Sequence, residues 1–196
     1  ILMEKKLLED KLQALKALVE SYDSLAVAFS GGVDSTFLLK FAADCKVDLL
    51  ALTVRAPMFQ PEEVTYAVDF CAKQGITHKI LEIDEKKLKP FMHNPIDRCY
   101  ICKKTIFTYI LKELEAGSVN PEQGARNKSF VLADGTNADD CLDYRPGTKA
   151  LAELGVASPL REVGLTKAEI REALKTMNSQ IWDKPAFACL ASRIPY

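Results

Sequence analysis

Short runs of apolar, mostly branched residues recur along the chain at Leu25 to Phe29, Val47 to Val54, His78 to Ile83 and Phe130 to Ala133. Stretches with helical apolar spacing separate them. Leu8, Leu12, Leu15, Val19 and Tyr22 recur at helical intervals among charged residues, which predicts an N-terminal amphipathic helix. Pro61 followed by Glu62 and Glu63 opens a helix over Pro61 to Lys73, and Gln74-Gly75 closes it. Thr166-Lys167-Ala168-Glu169 reads as a capping box starting a helix over Lys167 to Met177. A fifth strand is expected at Val156 to Leu160. The alternation predicts an α/β fold with an open, mostly parallel, five-stranded sheet flanked by helices. Between the third and fourth strands, Asp84 to Ser129 forms a long excursion with a helix expected over Lys103 to Glu115 and a polar loop at Gly117 to Lys128.

Composition narrows the function classes. The 196 residues, 48% hydrophobic, suffice for one main core. The net charge of −1, from 26 Lys and Arg against 27 Asp and Glu, lacks the basic footprint of a nucleic-acid binder and is compatible with a small anionic substrate. Neither a bilayer-spanning apolar run nor a leader pattern at the start is seen, so a cytoplasmic protein is expected. In that compartment six cysteines read as thiols, metal ligands or catalysts rather than a disulfide framework.

The chemistry concentrates in Ser30-Gly31-Gly32-Val33-Asp34-Ser35, which joins the first strand to the helical Thr36-Phe37-Leu38-Leu39-Lys40-Phe41. Two glycines turn the chain and let backbone N–H groups, with a helix start, face anionic oxygens. No lysine follows the glycines, so this is not the G-x-x-x-x-G-K-[ST] loop. Asp34 repels phosphates unless it caps backbone donors or faces Mg²⁺. Ligands of open parallel sheets lie beyond the carboxyl ends of the strands. Thr53-Val54-Arg55, Asp134-Gly135-Thr136-Asn137 and Leu160-Arg161 are therefore expected to meet the loop. Its motif matches the S-G-G-x-D-S signature of the pyrophosphate-loop enzymes, which it resembles residue for residue. That resemblance implies hydrolysis of ATP between the α and β phosphates.

Cys99-Tyr100-Ile101-Cys102 alone fits a redox pair, half a metal site or two packing thiols. Cys189, in the irregular Pro185 to Arg193 segment, adds a third thiol. Three thiolates can hold a cubane iron–sulfur cluster with one iron left open. The loop, Asp97 to Lys103, Ala133 to Asp140, Tyr144 to Gly147 and Ala188 to Tyr196 together closely resemble the LarE family of ATP-dependent sulfur transferases, which make the nickel-pincer nucleotide cofactor of lactate racemase.

The resemblance implies an adenine nucleotide α hydrolase-like fold. It also implies ATP and Mg²⁺ as cofactors, bound by Ala28, Phe29, Ser30, Gly31, Gly32, Val33, Asp34, Ser35, Thr53, Gly135, Thr136 and Asn137. ATP would adenylate a carboxylate of a pyridinium mononucleotide, and sulfur would then displace AMP. In that family the cysteine matching Cys189 either gives up its own sulfur or joins two others on a [4Fe-4S] cluster. Cys99, Cys102 and Cys189 resemble the cluster-binding branch. Arg98, Arg145 and Arg193 suit the substrate's phosphate and carboxylates; solvation or a structural ion pair is the alternative for each. The resemblance divides the chain into an ATP-binding domain over 1–177, with the insertion 84–129, and the start of a C-terminal sulfur-transfer region over 178–196. Members of the family continue into a further helical region that supplies more substrate contacts and much of the oligomer interface, so a homo-oligomer is expected. The competing functions are a tRNA thiolase, a synthetase of the NAD synthetase kind, and a non-catalytic module in which the three cysteines hold zinc. Cys45, Cys71 and Cys141 read as structural, and core packing is the favoured account of Trp182 and Phe187.

Overall fold

The computed structural model describes residues 2–84, 86, 95–117, 129–141, 146–177 and 179–185. Four parallel strands, β1 (Ser24–Ala28), β2 (Asp48–Arg55), β3 (Thr77–Glu82) and β4 (Val131–Ala133), form one sheet in the order β3-β2-β1-β4. The helices are α1 (Leu2–Glu20), α2 (Val33–Ala43), α3 (Pro61–Gln74), α4 (Arg98–Glu115), α5 (Pro146–Glu153), α6 (Pro159–Glu162) and α7 (Lys167–Thr176). Two 3₁₀ turns, Ala138–Cys141 and Gln180–Asp183, complete the described elements.

Alternation along the strands sends neighbouring side chains to opposite faces of the sheet. Leu25, Val27 and Phe29 pack with α1, α2, α3 and α7. Ala26, Leu50 and Leu52 pack with α4 and α5 on the other face. Phe29, Phe37, Leu25 and Leu38 are fully buried, each contributing about 1.5–3 kcal/mol of apolar burial. The sheet is thus a filled middle layer.

The predicted helix signals operate as read. Pro61 occupies the first turn of α3, and Gly75 ends it in the left-handed conformation at φ +66°. Thr166 Oγ1 accepts from Glu169 N at 3.3 Å while Thr166 N donates to Glu169 Oε2 at 2.8 Å. The cysteine-bearing helix α4 begins at Arg98 rather than Lys103, so Cys99 and Cys102 lie in its first turns.

Among the described residues the sheet has four strands where five were expected. Residues 156–160 supply only a bridge between Ala157 and Ala133, with Ala157 N donating to Leu132 O and Asp134 N donating to Ala157 O. Pro159 has no N–H for a ladder and starts α6 instead. Leu160 is accordingly buried in the core, and neither it nor Arg161 lines the cavity that opens beside the loop.

Candidate active site

From β1 the chain moves outward through β2 to β3 and then crosses back to lay β4 on the other side of β1, so the strand order reverses at β1. That reversal is where open α/β sheets hold ligands. The turn Ser30-Gly31-Gly32 sits there, between β1 and α2. Gly31 has φ +75°, and a Cβ on it would lie 3.1 Å from Glu63 O. Ser30 Oγ and Ser35 Oγ share a hydrogen bond at 3.1 Å, and Ser35 Oγ also donates to Gly32 O at 3.2 Å. No side chain caps α2 at Gly32. Its first-turn N–H groups lack intrahelical partners and stay available to an anion.

Three neighbouring strands hold this turn in place. Phe29 N donates to Leu52 O at 2.8 Å, and Phe29 O accepts from Thr53 Oγ1 at 2.8 Å. His78 Nε2 lies 2.8 Å from the same Thr53 oxygen. The Thr53 proton is committed to Phe29, so His78 Nε2 must be the donor. Burial lowers the His78 pKa, which favours the neutral ring.

From β4, Asp134 is buried and accepts from Ser158 Oγ at 2.8 Å, Thr136 Oγ1 at 2.5 Å and Thr136 N at 3.2 Å. Lys103 Nζ of α4 reaches it at 3.4 Å. Gly135 then passes so close to α2 that a Cβ there would lie 2.7 Å from Ser35 N. Asn137 turns inward and accepts from Asp139 N at 2.9 Å, shaping the 3₁₀ turn.

Asp34, anomalous beside phosphates in the sequence, has a counter-charge. Its Oδ2 lies 2.6 Å from Lys167 Nζ at the start of α7. Burial raises the Asp34 pKa and the nearby Asp140 charge adds to this, while Lys167 and the Asn137 amide oppose it. Asp34 Oδ1 is buried without a well-formed hydrogen bond. A second lysine, Lys184, donates to Gly31 O at 2.7 Å.

A cavity of about 450 Å³ opens beside the turn. Its rim brings together Ser30, Gly32, Asp34, Ser35, Thr53, Gly135 and Thr136 with Arg98, Cys99, Cys102 and Lys103 of α4. Ala28 and Phe29 line it too, and apolar walls come from Leu52, Met58, Phe59 and Phe107. Val33 is instead a core residue. Cys99 is exposed and Cys102 half-buried, one helical turn apart. Cys71 is buried, its thiol pushed up to about 12 by desolvation, and Cys45 donates to Phe41 O, so both are packing residues. Trp182 packs against the core under Lys175. Arg145, Phe187, Cys189 and Arg193 lie outside the described residues. Among the described residues, no three His, Cys, Asp or Glu side chains converge on one metal position, and no helix is long and apolar enough to cross a membrane.

Sequence reading missed His78, Ser158, Lys167 and Lys184 as parts of the site. Their partners Thr53, Asp134, Asp34 and Gly31 lie 25, 24, 133 and 153 positions away. The only local signal was Lys167, next to the capping Thr166.

A parallel sheet carrying an S-G-G-x-D-S turn at its reversal point defines a pyrophosphate-loop fold. Solved structures agree: NMN synthetase from Francisella tularensis superposes with a TM-score of 0.65 at 16% identity, covering 91% of this chain and 75% of that one. The NH3-dependent NAD synthetase of Campylobacter jejuni gives a TM-score of 0.61 at 16% identity, covering 94% and 78%. Among curated proteins, an uncharacterized protein of Synechocystis sp. is 36% identical over 191 residues, 97% of this chain and 68% of its own length. The pyridinium-3,5-bisthiocarboxylic acid mononucleotide synthase of Lactiplantibacillus plantarum is 29% identical over 191 residues, 96% of this chain and 66% of its own. An uncharacterized Methanocaldococcus jannaschii protein is 28% identical over 172 residues, 88% of this chain and 61% of its own. No protein-family model matches the chain. The chain spans about two thirds of the length of these curated relatives, and it belongs to the LarE family of the pyrophosphate-loop superfamily.

Proposed function

We propose that this protein is a cytoplasmic, ATP-dependent sulfur transferase that converts a carboxylate of pyridinium-3,5-biscarboxylic acid mononucleotide to a thiocarboxylate, in nickel-pincer nucleotide biosynthesis. The observation that carries the reading is one cavity bordered by both the Ser30 to Ser35 turn and the Cys99, Cys102 pair. The named synthase among the relatives supports the substrate.

A carboxylate is a poor acyl donor because its leaving group would be oxide. Attack of its oxygen on the α-phosphorus of ATP forms the acyl-adenylate and breaks the bond to pyrophosphate. The backbone N–H groups and the Ser30 and Ser35 hydroxyls would hold that leaving group. Asp34 Oδ1 and Asp140 offer hard carboxylate oxygens beside the turn, a donor set that suits Mg²⁺, with Lys167 balancing Asp34. Arg98 would orient the anionic substrate against the cavity wall, with Arg145 and Arg193 joining it. A sulfur nucleophile then takes the acyl carbon, and the acyl–oxygen bond to AMP breaks.

Cys99 and Cys102, one helical turn apart on α4, line this cavity and would supply two of the three thiolates of a [4Fe-4S] cluster, with Cys189 as the third. Such a cluster, when bound, supplies an iron without a protein ligand, at which sulfur exchanges without consuming a cysteine. Residues 1–177 would form the adenylating unit and 178–196 the start of the sulfur-transfer region. The test is anaerobic purification followed by incubation with ATP and the mononucleotide. Brown protein releasing AMP and pyrophosphate only when substrate is present is expected; colourless protein with stoichiometric zinc, or no substrate-dependent AMP, would sink the reading.

A further inference from the structure

The turn has no lysine of its own after the glycines, yet a lysine 153 residues downstream reaches into it. Lys184 Nζ donates to Gly31 O at 2.7 Å and stands 4.4 Å from the centre of the Tyr66 ring. Glu63 is the acidic neighbour acting on the ammonium. Arg171 of α7 grips the segment carrying Lys184, donating from Nη1 to Trp182 O and from Nη2 to Lys184 O at 3.0 Å. Lys184 is therefore braced from its own backbone, its ring neighbour and its acceptor.

The acceptor it chooses has a consequence for the loop. Gly31 O and Gly32 N–H belong to one trans peptide unit, so they point in opposite directions. With the oxygen held on Lys184, the N–H faces Ser30 Oγ, 3.4 Å away, on the side where Ser30, Gly32 and Ser35 line the cavity. A flip of that peptide would place a carbonyl oxygen where phosphate oxygens must sit, and glycine on both sides makes such a flip sterically cheap.

We infer that Lys184 is a positioning residue for the phosphate loop: by holding the Gly31 carbonyl away from the cavity, it keeps the Gly32 N–H turned toward the polyphosphate of ATP. The inference rests on the proposal that this site binds ATP.

The test is calorimetric titration of ATP and of AMP into the wild-type protein, Lys184→Met and Lys184→Arg. The wild type is expected to prefer ATP; a wild type indifferent to ATP over AMP would refute the ATP-site reading itself. Lys184→Met is expected to weaken ATP about tenfold to a hundredfold, the range for a lost charged hydrogen bond, and AMP by no more than about twofold. Lys184→Arg, which can still donate to Gly31 O, is expected to recover most of the ATP affinity. Unchanged ATP affinity in Lys184→Met, or ATP and AMP affinities falling together, would overturn the inference.

Discussion

The phosphate turn and the first turns of α4 border the same cavity, yet they are built differently. The turn is backbone pressed on backbone: Gly135 passes so near Ser35 that a methyl group would meet its N at 2.7 Å and its Cα at 3.0 Å. Around Cys99 and Cys102 the close contact is with a side chain. A Cβ on Gly147 of α5 would meet Lys103 Cδ at 2.9 Å, but the Cys99 backbone only at 3.5 Å. The first region is held by backbone that cannot move aside, the second by a flexible lysine and the half-exposed Tyr100, Lys104 and Glu153 cluster. Under the proposed function a leaving-group site needs fixed donors before the reaction starts, whereas thiolates that would hold a cluster need room for it.

Substitutions can break that contrast, and the largest effect is expected where the regions join. Asp134→Ala strands the buried Ser158 and Thr136 donors together, so a loss of about 3 kcal/mol or more is expected in denaturant unfolding. Gly135→Ala forces β4 off α2 and should cost about 1–3 kcal/mol while abolishing ATP binding by calorimetry. Gly147→Ala is expected to cost less than about 1 kcal/mol, since Lys103 can swing away, and to leave ATP binding intact. Equal losses from the two glycine variants would refute the contrast.

A smaller effect is expected with pH. Burial pushes the Glu169 pKa up, but the Lys11 and Thr166 hydrogen bonds prevail and hold it below its ordinary 4.5. A carboxylate with a folded-state pKa below its unfolded value contributes stability that is fully present above the unfolded pKa. The contribution is lost as pH falls through the folded pKa. Melting temperatures measured downward from about pH 5 should therefore fall more steeply for the wild type than for Glu169→Gln, whose neutral amide keeps the capping box but cannot titrate. Parallel curves would show that this cap carries no pH dependence.

How much of this was legible in the sequence follows the same divide. Local signals sufficed for the four strands within a residue or so, for Pro61 and Gly75 around α3, and for the Thr166 and Glu169 cap. The early start of α4 was missed because Arg98-Cys99-Tyr100-Ile101-Cys102 carries little helical periodicity, and the expected fifth strand ignored what Pro159 does to a ladder. The turn was readable because six adjacent residues make it. Its supports were not, because Lys167 on Asp34 and Lys184 on Gly31 are pairings that only the folded sheet creates.

The central claim is that adenylation belongs to the turn and sulfur delivery to the cysteines. The most direct measurement is ATP–pyrophosphate exchange alongside thiocarboxylate formation in a Cys99→Ser, Cys102→Ser double variant. Substrate-dependent exchange at the wild-type rate with no thiocarboxylate product is the predicted result. Loss of exchange together with the product, or sulfur transfer that persists without these two thiols, would contradict it.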